Sequence, residues 1–203
     1  MIRELAFAAV AALALGSAAQ AAPVYADNFN ANLVGLNAVP TGWTVTGGTV
    51  DLIGSGSNGT FADFLPGNGV YVDLDGSTNQ AGLLTSPLLS LLGGVTYIAT
   101  FDLAGSHRGS TETGTVTFGS ASLGYNIASG VGFAGYSLSF TPSVGGNYTL
   151  SFQNDGRDNV GALLDNVAVA EVAAAIPEPE TYALMVAGLL AVGAASRRRK
   201  TAA

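Results

Sequence analysis

Five side chains in this 203-residue chain stand where their type and setting could do chemistry: Asp73, Asp75, His107, Arg108 and Asp165. In Leu163-Leu-Asp-Asn-Val167 and the residues that follow, period-two alternation puts Asp165 on the face of Leu163, Val167 and Val169. A carboxylate aimed with core side chains must be ion-paired, hydrogen-bonded or metal-bound; the plainer alternative is that it accepts backbone N–H groups at a sheet corner. Asp73-Leu-Asp75-Gly76-Ser-Thr-Asn79 opens like an EF-hand loop, but its twelfth position is Leu84, where a bidentate Glu is required. The EF-hand reading fails. Asp73 and Asp75 share a strand face and read as a solvated acidic edge, with a weak cation or glycan contact as the alternative. His107 and Arg108 follow Asp102-Leu-Ala-Gly-Ser106 at the end of a strand, where a loop can present them to a sugar beside Tyr71 or Trp43. Against this, a single His offers neither a triad nor a His-based metal cluster, Arg108 has Asp102 and Glu112 as candidate ion-pair partners, and Trp43 suits a core position.

Other motifs are excluded by their context. Gly54-Ser-Gly56-Ser-Asn-Gly59 fits G-x-G-x-x-G, yet Pro66 and further Gly follow it, and a dinucleotide site needs a helix N-terminus there. Asn154-Asp155-Gly156-Arg157-Asp158-Asn159 is rich in oxygen donors, and turn chemistry accounts for it. Glycoside hydrolysis needs two carboxyl groups at a defined separation, and no pair is singled out, so an enzyme is an unsupported reading. Only Arg108 and Arg157 oppose eleven carboxylates in residues 22–175, a net charge of −9 that repels a phosphate backbone and excludes nucleic acid as a partner.

The elements that must position these side chains are strands. With 28 Gly and 10% charged residues, the chain is neither a coiled coil nor a charged disordered segment. Apolar and polar residues alternate in short runs, broken by Gly, Asn, Ser and Pro, over residues 22–172, which predicts an all-β fold. Strands are expected over 43–46, 49–53, 70–74, 97–103, 115–118, 136–140, 148–152 and 163–169. In Tyr136-Ser-Leu-Ser-Phe140 the aromatic and Leu side chains share one face and Ser the other, the pattern of a half-buried antiparallel strand. Eight strands with no convincing helix suit a two-sheet antiparallel jelly-roll sandwich over residues 22–175. With no cysteine, the fold stands on its core alone.

Both ends carry addresses. Residues 1–21 read as a secretory signal peptide, with Arg3 in front, an apolar stretch, and Ala19-Gln20-Ala21 fitting the cleavage pattern, so that the mature chain begins at Ala22. Residues 176–203 hold Pro177-Glu178-Pro179, an apolar run, and then Arg197-Arg198-Arg199-Lys200. The prolines stop the preceding structure and hold an extended, accessible segment. Residues 181–196 would rise about 24 Å as a helix against a hydrocarbon layer of about 30 Å, a marginal transmembrane span. The basic run stays on the cytoplasmic side of the inner membrane and leaves the domain outside. The three parts in this order resemble the PEP-CTERM sorting signal of Gram-negative bacteria. The resemblance implies that Pro177, Glu178 and Pro179 are recognised by an exosortase, a membrane cysteine protease that removes the helix and transfers the protein onward.

The segments Trp43-Thr-Val-Thr-Gly-Gly-Thr-Val-Asp-Leu52, Tyr71-Val-Asp-Leu-Asp-Gly76, 97–108 and Leu163-Leu-Asp-Asn-Val167 resemble galactose-binding-like jelly rolls of the DUF642 and carbohydrate-binding-module kind. That resemblance implies a structural calcium between the first and last strands, which would bring Asp27 and Asn28 near Asp165. The expectation that results is an exported, non-catalytic envelope or extracellular-matrix protein whose sandwich contacts polysaccharide. The alternative is a structural or adhesive matrix component that contacts proteins and binds no glycan.

Overall fold

Alternating side chains drive the chain into strands because each run has one apolar face to bury. The computed structural model describes residues 22–57, 62–172 and 184–190. Thirteen strands lie among them: β1 (Tyr25–Asp27), β2 (Thr44–Thr46), β3 (Asp51–Gly54), β4 (Val70–Asp73), β5 (Leu83–Thr85), β6 (Leu89–Leu91), β7 (Tyr97–Ala104), β8 (Glu112–Phe118), β9 (Ala121–Ile127), β10 (Ala134–Phe140), β11 (Gly146–Tyr148), β12 (Leu150–Asn154) and β13 (Leu163–Glu171). One sheet runs β10-β7-β13-β4-β3, with β1 also on β13; the facing sheet runs β2-β5-β12-β8-β9, and β11 pairs with β6. Every ladder between these strands is antiparallel. The protein is thus an all-β sandwich, with more and shorter strands than the sequence pattern predicts.

The core lies between the sheets. Phe101 of β7 meets Phe152 of β12 edge to face at 5.1 Å between ring centroids, and Trp43 packs 6.2 Å from Phe152 and 5.6 Å from Phe29. These aromatics supply large buried areas and tie one sheet to the other. A second, smaller cluster forms on the outer side of the first sheet, where Ile53, Tyr71, Ala104 and Leu163 are covered by Phe64, Leu65 and Phe133. This cover explains why β3 and β4 are buried at every position. Gly54 permits it: its φ is +110°, and a Cβ there would stand 2.2 Å from the Gly69 carbonyl oxygen.

β13 departs from strict alternation. Leu163 faces the outer cluster and Leu164 the main core, and Val167 and Val169 face the main core again. The extra residue is taken up by a bulge between Asp165 and Ala168, where Asn166 adopts φ +50°. Asp165 therefore lies opposite Asp102 of β7 and does not point with Val167 and Val169, which corrects the expectation from period two.

Residues 184–190 are helical, and Leu184, Met185, Val186, Leu189 and Leu190 of this stretch are exposed. Among the described residues no helix is long and apolar enough to cross a membrane. The expected signal peptide with Ala19 and Ala21, the Pro177-Glu178-Pro179 element and the basic run Arg197, Arg198, Arg199 and Lys200 lie outside the described residues. Ala22, the expected first residue of the mature chain, is described and precedes β1.

The outer cluster hangs on one hydroxyl. Tyr71 Oη donates to Asp63 Oδ1 at 2.9 Å and accepts from Leu65 N at 3.0 Å. Tyr71→Phe leaves both partners unmet and is expected to lower unfolding stability by about 1–3 kcal/mol in a denaturant titration. A change within a few tenths of a kcal/mol would show that this loop does not depend on the hydroxyl.

Candidate functional site

The polar side chains of this sandwich collect at one end, where antiparallel pairing brings particular strand ends together. Asp51 opens β3 opposite Asp73, which closes β4. Arg108 lies in the β7–β8 loop, Glu112 opens β8, Asn154 closes β12, and Asp158 and Asn159 lie in the β12–β13 loop. Asp51 accepts from Asn37 N at 2.6 Å, Ser77 N at 3.2 Å and Ser77 Oγ at 2.8 Å. Asp73 accepts from Asp75 N at 3.1 Å through Oδ1 and from Arg108 Nη2 through Oδ2. Arg108 Nη1 donates to the Asn159 carbonyl, and its guanidinium lies 5.1 Å from the Phe64 ring centroid. Together Asp51, Phe64, Asp73, Ser77, Arg108 and Asn159 line most of a cavity of about 200 Å³.

Behind this cavity lies a second polar layer. Glu112 accepts from Ser110 Oγ at 2.5 Å and from Asn154 Nδ2 at 3.3 Å, and Asn154 Oδ1 accepts from Tyr125 Oη at 2.9 Å. Burial raises the Tyr125 hydroxyl above its ordinary range, and the carboxylates of Asp155 and Glu112 add to the shift. Asp73 is pushed up to about 8 by burial, which outweighs the Arg108 guanidinium beside it. Burial also raises Asp75.

Asp73 and Asp75 are 1% and 0% exposed, so the solvated acidic edge expected from sequence is not what forms. The β12–β13 loop is laid over them. A Cβ on Gly161 would stand 2.3 Å from Asp75 N and 2.5 Å from Asp73 Oδ1, so only glycine allows this approach. Arg108 pairs with Asp73 and not with Asp102 or Glu112; Asp102 instead accepts from Asn166 Nδ2 at 2.9 Å.

The other sequence-selected residues are placed as follows. Trp43 is 5% exposed and donates from Nε1 to Asp27 Oδ2 at 2.8 Å, and Tyr71 is fully buried under Phe133. Both belong to cores, in agreement with the core reading of Trp43, and neither lines the surface contact that was the alternative for Trp43 and the expectation for Tyr71. His107 is exposed with φ +55°, its N–H donating to the Ser129 carbonyl at 2.9 Å. Asp51, Phe64, Ser77 and Asn159 complete the cavity and were not among the sequence candidates. Asn159, in a turn-forming run, gave the one local hint.

The calcium expectation meets a poor donor set. β1 does pair with β13, at Tyr25↔Val169 and Asp27↔Val167. Both Asp27 oxygens, however, already accept from protein donors, Phe29 N and Trp43 Nε1, each at 2.8 Å. Asn28 Oδ1 accepts from Asn30 N at 3.3 Å, and Asp165 Oδ1 from Asn166 N at 2.7 Å. Among the described residues no three His, Cys, Asp or Glu side chains converge on a metal position. Asp27, Asn28 and Asp165 do not fit the six to eight oxygens calcium takes. Asp165 is instead pushed up to about 6, chiefly by burial, with Asp102 and Asp27 adding repulsion.

Residues 175–200 match the PEP-CTERM protein-sorting motif. That motif implies an exported protein that an exosortase processes. No curated protein matches the chain in sequence. Among solved structures, the CBM22-1 xylan-binding domain from Paenibacillus barcinonensis is similar with a TM-score of 0.51 at 14% identity, over 78% of this chain and all of that one. A cleaved adhesin domain of Lys-gingipain from Porphyromonas gingivalis is similar with a TM-score of 0.51 at 13% identity, over 73% of this chain and 98% of that one. Another from the same protein gives 0.50 at 16% identity over the same shares. At these identities the likeness is one of fold.

The raised carboxyls set the pH dependence. Asp73 and Asp165 hold protons in the folded state, to about 8 and about 6, that the unfolded chain releases near 3.8. Their stabilisation is complete below about pH 4 and lost as pH rises through about 6 and then about 8. The melting temperature is expected to fall from pH 5 to pH 8.5 in chelator, with Asp165→Asn removing the part of the fall near pH 6. A flat or rising profile would contradict the burial of these groups.

Proposed function

We propose that this chain is an exported, non-catalytic sandwich of the jelly-roll kind that contacts polysaccharide through the loop end around Arg108. The supporting observation is the cavity itself, where a guanidinium, two carboxyl groups, a hydroxyl, a main-chain carbonyl and an aromatic ring are held together by defined partners. Sugar hydroxyls both donate and accept, and their C–H faces pack on rings, so this set suits them. At about 200 Å³ the cavity is below the roughly 300–1,000 Å³ of most small-molecule sites. It therefore takes one sugar unit at a chain end, and binding is weak. His107 stands next to Arg108 on the same loop and widens the contact.

Sorting belongs to the same proposal. Pro177-Glu178-Pro179 is the recognition element for the exosortase, the apolar run of residues 181–196 is the membrane segment, and Arg197, Arg198, Arg199 and Lys200 hold the cytoplasmic side. The exposed apolar helical stretch 184–190 supports that assignment. Cleavage after Ala21 removes residues 1–21, and processing delivers the sandwich to the envelope or extracellular matrix.

A second reading, a matrix component that contacts proteins, has its own observation. The outer face of the second sheet presents Thr44, Thr46, Thr113, Thr115, Ser151 and Gln153. This surface of hydroxyls and amides suits another protein strand or sheet as well as it suits sugar.

Binding to a panel of hexasaccharides, with xylohexaose and cellohexaose among them, separates the readings. The full-length chain is expected to bind at least one with a millimolar to micromolar Kd. Arg108→Gln should weaken that binding about tenfold or more, since hydrogen bonds to a charged group contribute about 1.5–3 kcal/mol. A melting curve of the variant verifies folding. Absence of binding to every member would leave the protein-contact reading standing.

A further inference from the structure

The sandwich has a charged end, around Arg108, and an opposite end that is almost without charge. No Asp, Glu, Lys, Arg or His stands between Asp75 and Asp102 or between Glu112 and Asp155. Antiparallel pairing brings the middles of these two stretches together. Tyr97, where β7 begins, lies between Phe140, where β10 ends, and Glu171, where β13 ends. Phe118, the end of β8, lies opposite Leu150, the start of β12. Glu171 is the one formal charge at this end among the described residues.

The same end presents aliphatic side chains to the outside. Leu88, Leu92 and Val144 on its loops are each about two-thirds exposed, and Val24 and Val172 about half. These loops are packed as a unit. Gly94 N donates to the Pro142 carbonyl at 2.7 Å, Leu92 N donates to Tyr97 Oη at 3.1 Å, and the Thr96 and Thr141 hydroxyls share a hydrogen bond of 2.8 Å. A Cβ on Gly93 would stand 2.8 Å from Gly145 N and 3.1 Å from the Val144 carbonyl carbon, so glycine lets the Leu92 and Val144 loops touch. Leu88 lines one recess with Thr141, Ser143, Asn147 and Tyr148. This is a fixed apolar surface fringed by hydroxyls and an amide, and not a scatter of single leucines.

Both ends of the sandwich chain emerge beside it. Val24 N donates to the Val169 carbonyl at 2.8 Å, and Val172 N to the Thr96 carbonyl at 2.9 Å. Eight residues, 173–180, separate Val172 from the apolar run 181–196. Even fully extended, eight residues span at most about 29 Å.

We propose that this uncharged end is a docking surface for a neutral lipid bilayer, with Leu88, Leu92 and Val144 entering the headgroup boundary of the membrane that holds the tail. The inference rests on the membrane reading of residues 181–196 and adds a contact of the sandwich itself. The short tether favours lipid over a protein partner or a second copy, since it keeps this end within reach of one bilayer at all times. Charge favours it too: the loops give up no ion hydration on entering the boundary, and without Lys or Arg they have nothing to attract anionic lipid. The Arg108 cavity, at the other end of the strands, is thereby left clear of the membrane.

The absence of cysteine allows a single fluorophore to be placed at will. The chain as exported, residues 22–203, is produced in a host without exosortase, labelled at Leu92→Cys or, for the charged end, at Gln80→Cys, and mixed with phosphatidylcholine and phosphatidylethanolamine vesicles. A nitroxide just below the lipid headgroups should quench the label at position 92, where apolar faces sit about 5–10 Å into the boundary, and leave the label at position 80 unquenched. The quenching should be unchanged by added salt, and Leu88→Ser combined with Val144→Ser should abolish it at position 92. Melting curves verify that both exposed substitutions leave the fold intact. Chain that does not float with the vesicles would overturn the membrane reading and this inference with it. Chain that floats with equal quenching at both positions, with quenching lost in salt, or with quenching undiminished by the double substitution would overturn the docking surface alone. A fluorescence change at position 92 that needs no nitroxide lipid and grows with protein concentration would replace the bilayer by a second copy.

Discussion

A sandwich without a cysteine must close through strand pairing and core packing alone, and here closure depends on β13. One edge of β13 pairs with β7 along its length, while the other pairs first with β4 and then with β1. The chain thereby joins its first strand to its last. The bulge at Asp165 makes this double use workable, because one extra residue lets Leu163 serve the outer cluster while Val167 and Val169 serve the core. Asp27 fastens the same seam from the other side, taking the Trp43 indole N–H and so linking β1 to the aromatic centre.

Closure also decides where the charges go. The strand ends that meet at one end of the sandwich bring Asp51, Asp73, Asp75 and Glu112 together, all 5% exposed or less. The one guanidinium among them, Arg108, satisfies Asp73 and leans on Phe64. A set of carboxyls so deeply held is costly, and it persists because hydroxyls, amides and backbone N–H groups meet nearly every oxygen. Among the described residues, Asp75 Oδ1 is the one buried side-chain oxygen that this compensation leaves unmet.

The sequence made the longer strands legible because their apolar faces repeat at period two, as in Tyr136, Leu138 and Phe140. β1, β5, β6 and β11 are three residues each and leave too short a pattern to see. β9 carried the pattern in Leu123, Tyr125 and Ile127, with Gly124 interrupting its strand propensity. The site was less legible. Asp73 and Asp75 look exposed in their own segment, and what buries them is a loop some eighty residues later whose glycines permit close approach. Tyr71 reads as a sugar contact only while the cover over it, Phe133, is unknown, whereas Trp43, which packs on Phe29, already suits a core position in the sequence. Arg108 and Asp73 alone among the sequence candidates come to the cavity, and their pairing is set by fold topology and not by nearness in sequence.

Export and processing are what the sorting motif at residues 175–200 implies, and the intact mass of the protein recovered from its own host's envelope and medium tests them most directly. The account predicts a chain without residues 1–21 and without the segment beyond Pro177-Glu178-Pro179, and retention of that segment when Pro177→Ala and Pro179→Ala are combined. A parent protein that still carries Arg197 to Lys200 in both fractions would contradict it.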